Sequence, residues 1–441
     1  MPSFRKICLG CSGIALLVLL TGLGLRNSGL WQPAALALSV GLAIGMGAVP
    51  RLAGYQYTAW IIAAVVAGML YPASFSHWGS IDLRNKWLVL IVVQLVMFGM
   101  GTQMRLRDFT GLGSTGKGVL IGLACHFSVM PLTGYLLTRV FHFEPEIAAG
   151  IILIGSCSSG LASNVMVYIA RANLTLSVAV TAMATLAAPF FTPLLMKLLA
   201  GTYIHVQFGE MMLEIVKIVL VPIGAALLHD YLNGASPRGR RWVAMVGVAA
   251  AGWLVILATG GLSGWAGGPS VSSADLGGQM IQVSGFFAGA ILVGIGYHYL
   301  VRRAPKVERI MPYISMAGIV YFTTVTTAAG RDNLLHVGLL LFLASVIHNA
   351  AGYFFGYWLS RLFRLDKNAA RTVAFEVGLQ NGGMASGLAG SMGKLGTVGL
   401  AAAVFSPWMN ISGSILANYW RNRPAEEDVV VEPLPAEASN S

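Results

Sequence analysis

Two short stretches carry the residue types that could do chemistry. The first is Ser156-Cys157-Ser158-Ser159-Gly160-Leu161-Ala162-Ser163-Asn164. The second is Glu376-Val377-Gly378-Leu379-Gln380-Asn381-Gly382-Gly383-Met384-Ala385-Ser386. Both are small and polar, and both interrupt long apolar runs. Side by side, Gly160-Leu161-Ala162-Ser163 answers Gly383-Met384-Ala385-Ser386, and each stretch is followed by one further long apolar run. Interrupted hydrophobic segments at matching places in two halves of a chain point to a transport site. An unwound helix frees backbone carbonyls for a cation and turns a positive half-helix end toward an anion. Close helix packing through small residues is the plainer reading of either stretch alone. The acids favour the site. Of the 17 Asp and Glu, most lie in loops, at span ends or in the C-terminal tail. Glu210 and Glu214 begin a span near the outer surface, where Lys217 can pair with Glu214 at i+3. Only Glu376 stands inside an interrupted segment, and an intramembrane carboxylate is by default a functional-site hypothesis. The competing reading is a protonated Glu held by a structural hydrogen bond.

The elements that must position these residues are membrane helices. The chain has 441 residues, 56% of them hydrophobic and 10% charged, with a mean hydropathy of +0.72. Soluble domains carry about 25% charged residues, so the composition argues against a soluble enzyme and a disordered protein. Four cysteines do not make a disulfide framework. About fourteen runs reach the ~20 apolar residues that a bilayer core requires: 7–25, 34–50, 59–75, 87–103, 118–140, 146–170, 174–199, 210–229, 241–261, 281–301, 310–329, 334–361, 367–391 and 394–420. They are long and unbroken rather than alternating, which favours helices over barrel strands. With the N-terminus in the cytoplasm, about twenty Lys and Arg fall on the inner side and about seven on the outer. The formal charge of +11 is thereby explained without nucleic acid. The 262–280 loop holds Asp275 and no Lys or Arg, as an outer loop should. The chain from about Pro424 is acidic and reads as a disordered cytoplasmic tail.

Other signals carry less. Residues 111–118 imitate a phosphate-binding glycine loop, but Gly118 follows Lys117 where a P-loop needs Ser or Thr, so a flexible cytoplasmic loop is expected. Cys8 and Cys11 form a CxxC that reads as two incidental cysteines. The eight histidines lack metal-ligand spacing, and His348 reads as a structural hydrogen-bonder. Nothing resembles a nucleophile elbow. The first span reads as a retained helix, with a signal peptide as the alternative because Arg5 and Lys6 precede an apolar run.

Specific motifs then narrow the reading. Gly155-Ser156-Cys157 through Ser163-Asn164-Val165-Met166, with Ser177 and Thr181, resembles the first crossover region of the bile acid:sodium symporter family. Phe375-Glu376-Val377-Gly378-Leu379-Gln380-Asn381 resembles its second crossover motif. Phe98-Gly99-Met100-Gly101, His348-Asn349 and Trp408-Met409-Asn410-Ile411-Ser412-Gly413 follow in family order. The resemblance covers about 59–230 and 306–420. It implies an all-α polytopic membrane protein, an inverted-repeat transporter of five plus five helices with two crossed broken helices and panel and core domains. It implies two sodium sites as well. The first would use Ser163, Asn164, Ser177, Thr181 and Glu376. The second would use Glu376, the backbone at Val377 and Leu379, the Gln380 side chain and the position held by His126. Hard oxygen ligands suit a weakly bound alkali ion, and one carboxylate partly neutralises two. Asn381 and Asn410 match substrate-contact positions.

Four departures follow. His126 stands where many members carry Gln; it offers only nitrogen and titrates near neutral pH, so the second site is altered, absent or proton-sensitive, unless His126 is simply packed among helices. Ser158-Ser159 replaces a frequent Pro-Gly. Leu161 and Met409 stand where a Thr and a His are common and make the substrate pocket more apolar. Residues 1–58 and 237–305 are extra, adding about four transmembrane helices around a core of 59–236 and 306–420, with 421–441 as the tail. The expectation is a sodium-coupled symporter importing an organic anion (bile-acid-like, pantoate-like or a keto acid) across a bacterial inner membrane, both termini cytoplasmic. Its partners would be that anion and the lipid bilayer, and it would not be an enzyme. The alternatives are a proton-coupled or facilitative anion carrier, and a receptor or scaffold on a transporter fold.

Overall fold

The computed structural model describes residues 2–423 and 425, except 50–51, 53–54, 111 and 260–275. The expected tail, the outer loop around Asp275 and Gly111 of the glycine-rich stretch lie outside the described residues.

Almost every described residue is helical. The helices are α1 (Pro2–Gly24), α2 (Ser28–Gly45), α3 (Gln56–Leu70), α4 (Lys86–Gly101), α5 (Leu106–Thr110), α6 (Leu112–Phe141), α7 (Pro145–Ser156), α8 (Ala162–Ile169) and α9 (Leu174–Leu195). Then come α10 (Phe208–Ile215), α11 (Val221–Gly234), α12 (Pro237–Ala258), α13 (Leu276–Arg303), α14 (Lys306–Ala329), α15 (Arg331–Leu362), α16 (Lys367–Gly378), α17 (Gly382–Ser391) and α18 (Val398–Arg421). Among the described residues ten helices are long and apolar enough to cross a membrane, and α3, α4 and α7 are shorter apolar helices. The starts follow from short polar side chains at the caps. Asn27, Asn85, Asn173, Ser236, Asp366 and Asn381 each accept a hydrogen bond from a first-turn backbone N–H. Pro145 and Pro237 occupy first-turn positions where no N–H is needed. Large apolar side chains such as Leu120, Leu136, Val248 and Leu339 face outward, as they do on an integral membrane protein.

The interrupted spans account for the rest. A π-helical turn, Val216–Leu220, joins α10 to α11, so 208–234 is one continuous crossing, and another, Met196–Ala200, extends α9. The two stretches singled out in the sequence are genuine breaks, separating α7 from α8 and α16 from α17.

Packing repeats itself between the two halves. Helix α6 lies on α7 and α9 as α15 lies on α16 and α18. Likewise α8 lies on α9 as α17 lies on α18, and α3 lies on α14 as α11 lies on α4. The two remaining pairs attach at the side: α1 packs on α2 and α2 on α3, while α12 packs on α13 and α13 on α11.

One expectation needs correcting. The stretch 112–118 is not a loop but the start of α6. Gly118 has a packing use there, since a Cβ would come within 2.8 Å of Leu176, and close helix contact outweighs the helix cost of glycine. The fold also holds a two-stranded hairpin, β1 (His77–Trp78) and β2 (Ile81–Asp82), turned by Gly79 at φ 59°.

The two breaks lie antiparallel and pair through one β-bridge, Ser159 with Gln380. Gly160 N–H donates to Leu379 O at 3.1 Å, and Asn381 N–H donates to Ser158 O at 2.8 Å. A Cβ at Gly160 would stand 2.8 Å from Gln380 O, so a side chain there must push the strands apart. Gly160→Ala is therefore expected to destabilise the protein by about 1–3 kcal/mol, the usual cost of overpacking. Gly224→Ala, where a Cβ meets nothing within 4 Å, should be neutral. Thermal melts of both variants in detergent check this; equal melting temperatures would contradict it.

Candidate functional site

Glu376, near the end of α16, is fully buried. Its carboxylate meets oxygens from two other helices. Ser177 Oγ on α9 lies 2.5 Å from Oε1, and Thr181 Oγ1, one turn further on, lies 2.8 Å from Oε2. The same hydroxyls approach Asn164 Oδ1 of α8, at 2.7 Å and 3.4 Å. Thr181 Oγ1 is also 3.4 Å from Ser163 Oγ, whose proton is directed to Gly160 O at 2.8 Å. Each hydroxyl has one proton and at least two oxygen neighbours. The cluster thus holds more acceptor lone pairs than protons, and a cation balances such a set. Among the described residues Glu376 has no ion pair with a basic side chain, and no three His, Cys, Asp or Glu side chains group together. One carboxylate with neutral hydroxyl and amide oxygens is a hard donor set of low charge. It suits a monovalent alkali ion rather than a transition metal.

Breaking two helices frees backbone groups that must be satisfied inside the protein. Thr192 Oγ1 donates to Ser156 O at 2.6 Å, and Asn349 Nδ2 to Gly378 O at 2.8 Å. Gln380 Nε2 donates to Val377 O at 2.7 Å. Leu379 O accepts from Gly160 N–H and from Ser159 Oγ at 3.3 Å. His126, fully buried on α6, ties the two breaks together: Nδ1 lies 3.0 Å from Glu376 O and Nε2 lies 2.8 Å from Cys157 O. Both partners are acceptors, so both contacts are hydrogen bonds only for an imidazolium, and a neutral ring makes one.

The sequence-derived residues thus divide. Ser163, Asn164, Ser177, Thr181 and Glu376 come together. Of the second group, the carbonyls of Val377 and Leu379 already accept protein hydrogen bonds, His126 faces the Glu376 and Cys157 carbonyls, and Gln380 Oε1 is buried without a partner among the described residues. On the other side of the crossing, Asn381 caps α17 through Oδ1 to Met384 N–H, leaving its buried Nδ2 without a partner among the described residues. Asn410 Nδ2 donates to Ser406 O within α18. Leu161 begins α8, which packs on α18, the helix that carries Met409 and Asn410. His348 is the structural hydrogen-bonder expected, with Nε2 2.8 Å from Met130 O, and Lys217 pairs with Glu214. Sequence reasoning missed Ser159, Thr192 and Asn349 as partners of the breaks. All three are ordinary polar residues whose importance depends on which carbonyl they reach.

Comparison with known proteins places the chain among transporters. The model of the sodium bile acid symporter family matches residues 90–263. An uncharacterized sodium-dependent transporter of Bacillus subtilis is 30% identical over 376 residues, 85% of this chain and 94% of its own length. The chain belongs to the sodium bile acid symporter family. A probable chloroplastic sodium/metabolite cotransporter of Oryza sativa is 27% identical over 89% of this chain and 76% of its own. The human ileal sodium/bile acid cotransporter is 26% identical over 67% and 66%. The family's members are transporters and not enzymes.

The oxygen cluster makes a direct prediction. A hydrogen bond to a charged group contributes about 1.5–3 kcal/mol, so Ser177→Ala should lower stability by that order. In a Glu376→Gln background the same change should cost clearly less, because the two residues are coupled. A double-mutant cycle by denaturant or thermal unfolding measures this; equal costs in both backgrounds would contradict it.

Proposed function

We propose that the protein couples inward movement of sodium to uptake of an organic anion by alternating access. The observation that carries this reading is the buried Glu376 carboxylate, set among the oxygens of Ser163, Asn164, Ser177 and Thr181 with no basic partner among the described residues. Sodium is the coupling ion and binds there. The names of the relatives, sodium-dependent transporters and cotransporters, support the same ion.

One sodium moves per cycle through this first site. His126 lies between the Glu376 and Cys157 carbonyls and offers no oxygen, and the carbonyls of Val377 and Leu379 already accept protein hydrogen bonds, while Gln380 Oε1 is the side-chain oxygen of the second group without a partner among the described residues. The anion binds beside the crossing. Its carboxylate meets the N-terminal end of α17 and the free Asn381 Nδ2, with Asn410 nearby, and its body lies against Leu161 and Met409. That wall suits a bile-acid-like, pantoate-like or keto acid. The five plus five arrangement supplies the motion, with α3, α4, α11 and α14 as the panel and the crossed helices and their neighbours as the core. The excess of basic residues on one side supports cytoplasmic termini, and the lean loops support a bacterial inner membrane.

Uptake of labelled organic acids into proteoliposomes tests this. Wild type should show sodium-dependent uptake with a sodium Hill coefficient near one, as expected for about one coupled ion, and Glu376→Gln should lose the sodium dependence. Undiminished sodium-driven uptake by the variant would overturn the site assignment, and a coefficient near two would overturn the single-ion reading.

A further inference from the structure

A large cavity in the described structure lies away from the crossing. It lies between the extra helix α13 and the face formed by α4, α11 and α14, with a volume of about 1200 Å³. One wall is a glycine face: Gly278, Gly285, Gly289 and Gly296 all line it. A Cβ at Gly289 or Gly296 would meet nothing within 4 Å, so these glycines keep space open and are not there for close helix contact. The lining runs from Gly278 to Leu300, about 33 Å at 1.5 Å per residue, which matches the ~30 Å hydrocarbon core of a bilayer.

One end of this apolar groove is polar. Tyr297 lines it, is 7% exposed, and its hydroxyl finds no hydrogen-bond partner among the described residues. Its ring stands 5.0 Å from that of His229 on α11, which stands 5.2 Å from His298. Both histidines are buried, and each has an Nδ1 without a partner among the described residues. Arg302 lies one turn beyond His298 on α13, and Arg240 stands in the first turn of α12, which packs on α13, while Asp230 and Glu308 are the acidic residues of the neighbouring segments. Asp230 is already engaged by Leu106 N–H at 2.9 Å. Arg238, Arg241, Arg303, Lys306 and Arg309 lie in the adjoining chain segments, so this end is strongly basic.

We infer that the groove between α13 and the α4–α11–α14 face holds an anionic phospholipid. Its acyl chains lie along the glycine face, and its headgroup and ester oxygens meet Tyr297, Arg240 and Arg302. A long apolar slot that ends in the unpartnered buried hydroxyl of Tyr297, beside chain segments rich in Arg and Lys, matches a lipid in both shape and charge. A purely apolar occupant would leave Tyr297 Oη unpaired, which a buried hydroxyl resists. The extra hairpin α12–α13 is then the outer wall of a lipid slot, and the lipid is the packing between that hairpin and the four helices it borders.

The test uses the full chain, delipidated in mild detergent and then supplied with phosphatidylglycerol or phosphatidylcholine of identical acyl chains. Native mass spectrometry reads retention and a thermal melt reads stabilisation. Phosphatidylglycerol should be retained about tenfold or more in preference to phosphatidylcholine, because two arginines near the surface each favour an anionic headgroup. Gly289→Leu and, independently, Gly296→Leu should abolish that retention and the accompanying stabilisation. Both place a better helix former where a side chain has room, so both should fold. Arg240→Ala combined with Arg302→Ala should keep lipid binding but lose the headgroup preference. Equal retention of the two lipids by wild type, or full preference in both glycine variants, would overturn the proposal. A dimer mass that persists without bound lipid would assign the groove to a second copy and overturn it as well.

Discussion

A carboxylate buried in the middle of a membrane protein costs more than almost any other single feature, because neither water nor lipid will stabilise its charge at that depth. Glu376 carries that cost here, and the core is arranged around it. No single helix could surround the group. The hydroxyls of Ser177 and Thr181 come from α9, the Ser163 hydroxyl and the Asn164 amide oxygen from α8 and the carboxylate from α16, so three helices from two halves of the chain must meet around one point. They meet there because α7–α8 and α16–α17 break at the same depth and pair through Ser159 and Gln380. The breaks are tolerable in turn because the freed carbonyls are met inside the protein: Thr192 donates to Ser156 O, Asn349 to Gly378 O and Gln380 to Val377 O, and His126 stands within reach of both Cys157 O and Glu376 O.

This arrangement joins the ion side of the crossing to the anion side through few atoms. Gln380 forms the bridge with Ser159, and the next residue, Asn381, both donates its N–H to Ser158 O and caps α17. On the proposed reading, an ion that orders Glu376 and α8 also fixes the direction in which the α17 N-terminus points. Coupling then needs no long pathway. The two ligands share one piece of backbone, and whatever each gains from the other is reciprocal.

Much of this was legible in the sequence, and for physical reasons. Membrane helices announce themselves by length and hydropathy, so each of the fourteen apolar runs corresponds to a helix or a broken helix among the described residues, and ten of them to helices long and apolar enough to cross a membrane. Glu376 stood out because a carboxylate inside an apolar run has no cheap explanation. The breaks stood out because Ser158-Ser159-Gly160 and Gly378 through Gly383 are poor company for an unbroken helix. What remained illegible depends on which atoms meet. Residues 112–118 read as a loop because glycine is a poor helix former in isolation; the fit of Gly118 against Leu176 is a tertiary fact. Ser159, Thr192 and Asn349 are common residues whose role is set by a carbonyl one helix away. The groove beside α13 could not be read either, since a glycine that admits close packing and one that keeps a space open look the same in sequence.

The central claim is that the oxygens around Glu376 bind sodium, and the most direct measurement is thermal unfolding of the purified protein in sodium against potassium at equal ionic strength, without organic acids. A ligand that binds only the folded state stabilises it by RT ln(1 + [L]/Kd), about 2.7 kcal/mol at 100 times Kd. The account expects a sodium-specific rise in melting temperature that disappears when Glu376 is replaced by Gln. Identical melts in the two salts, or a stabilisation that follows pH and ignores sodium, would contradict it.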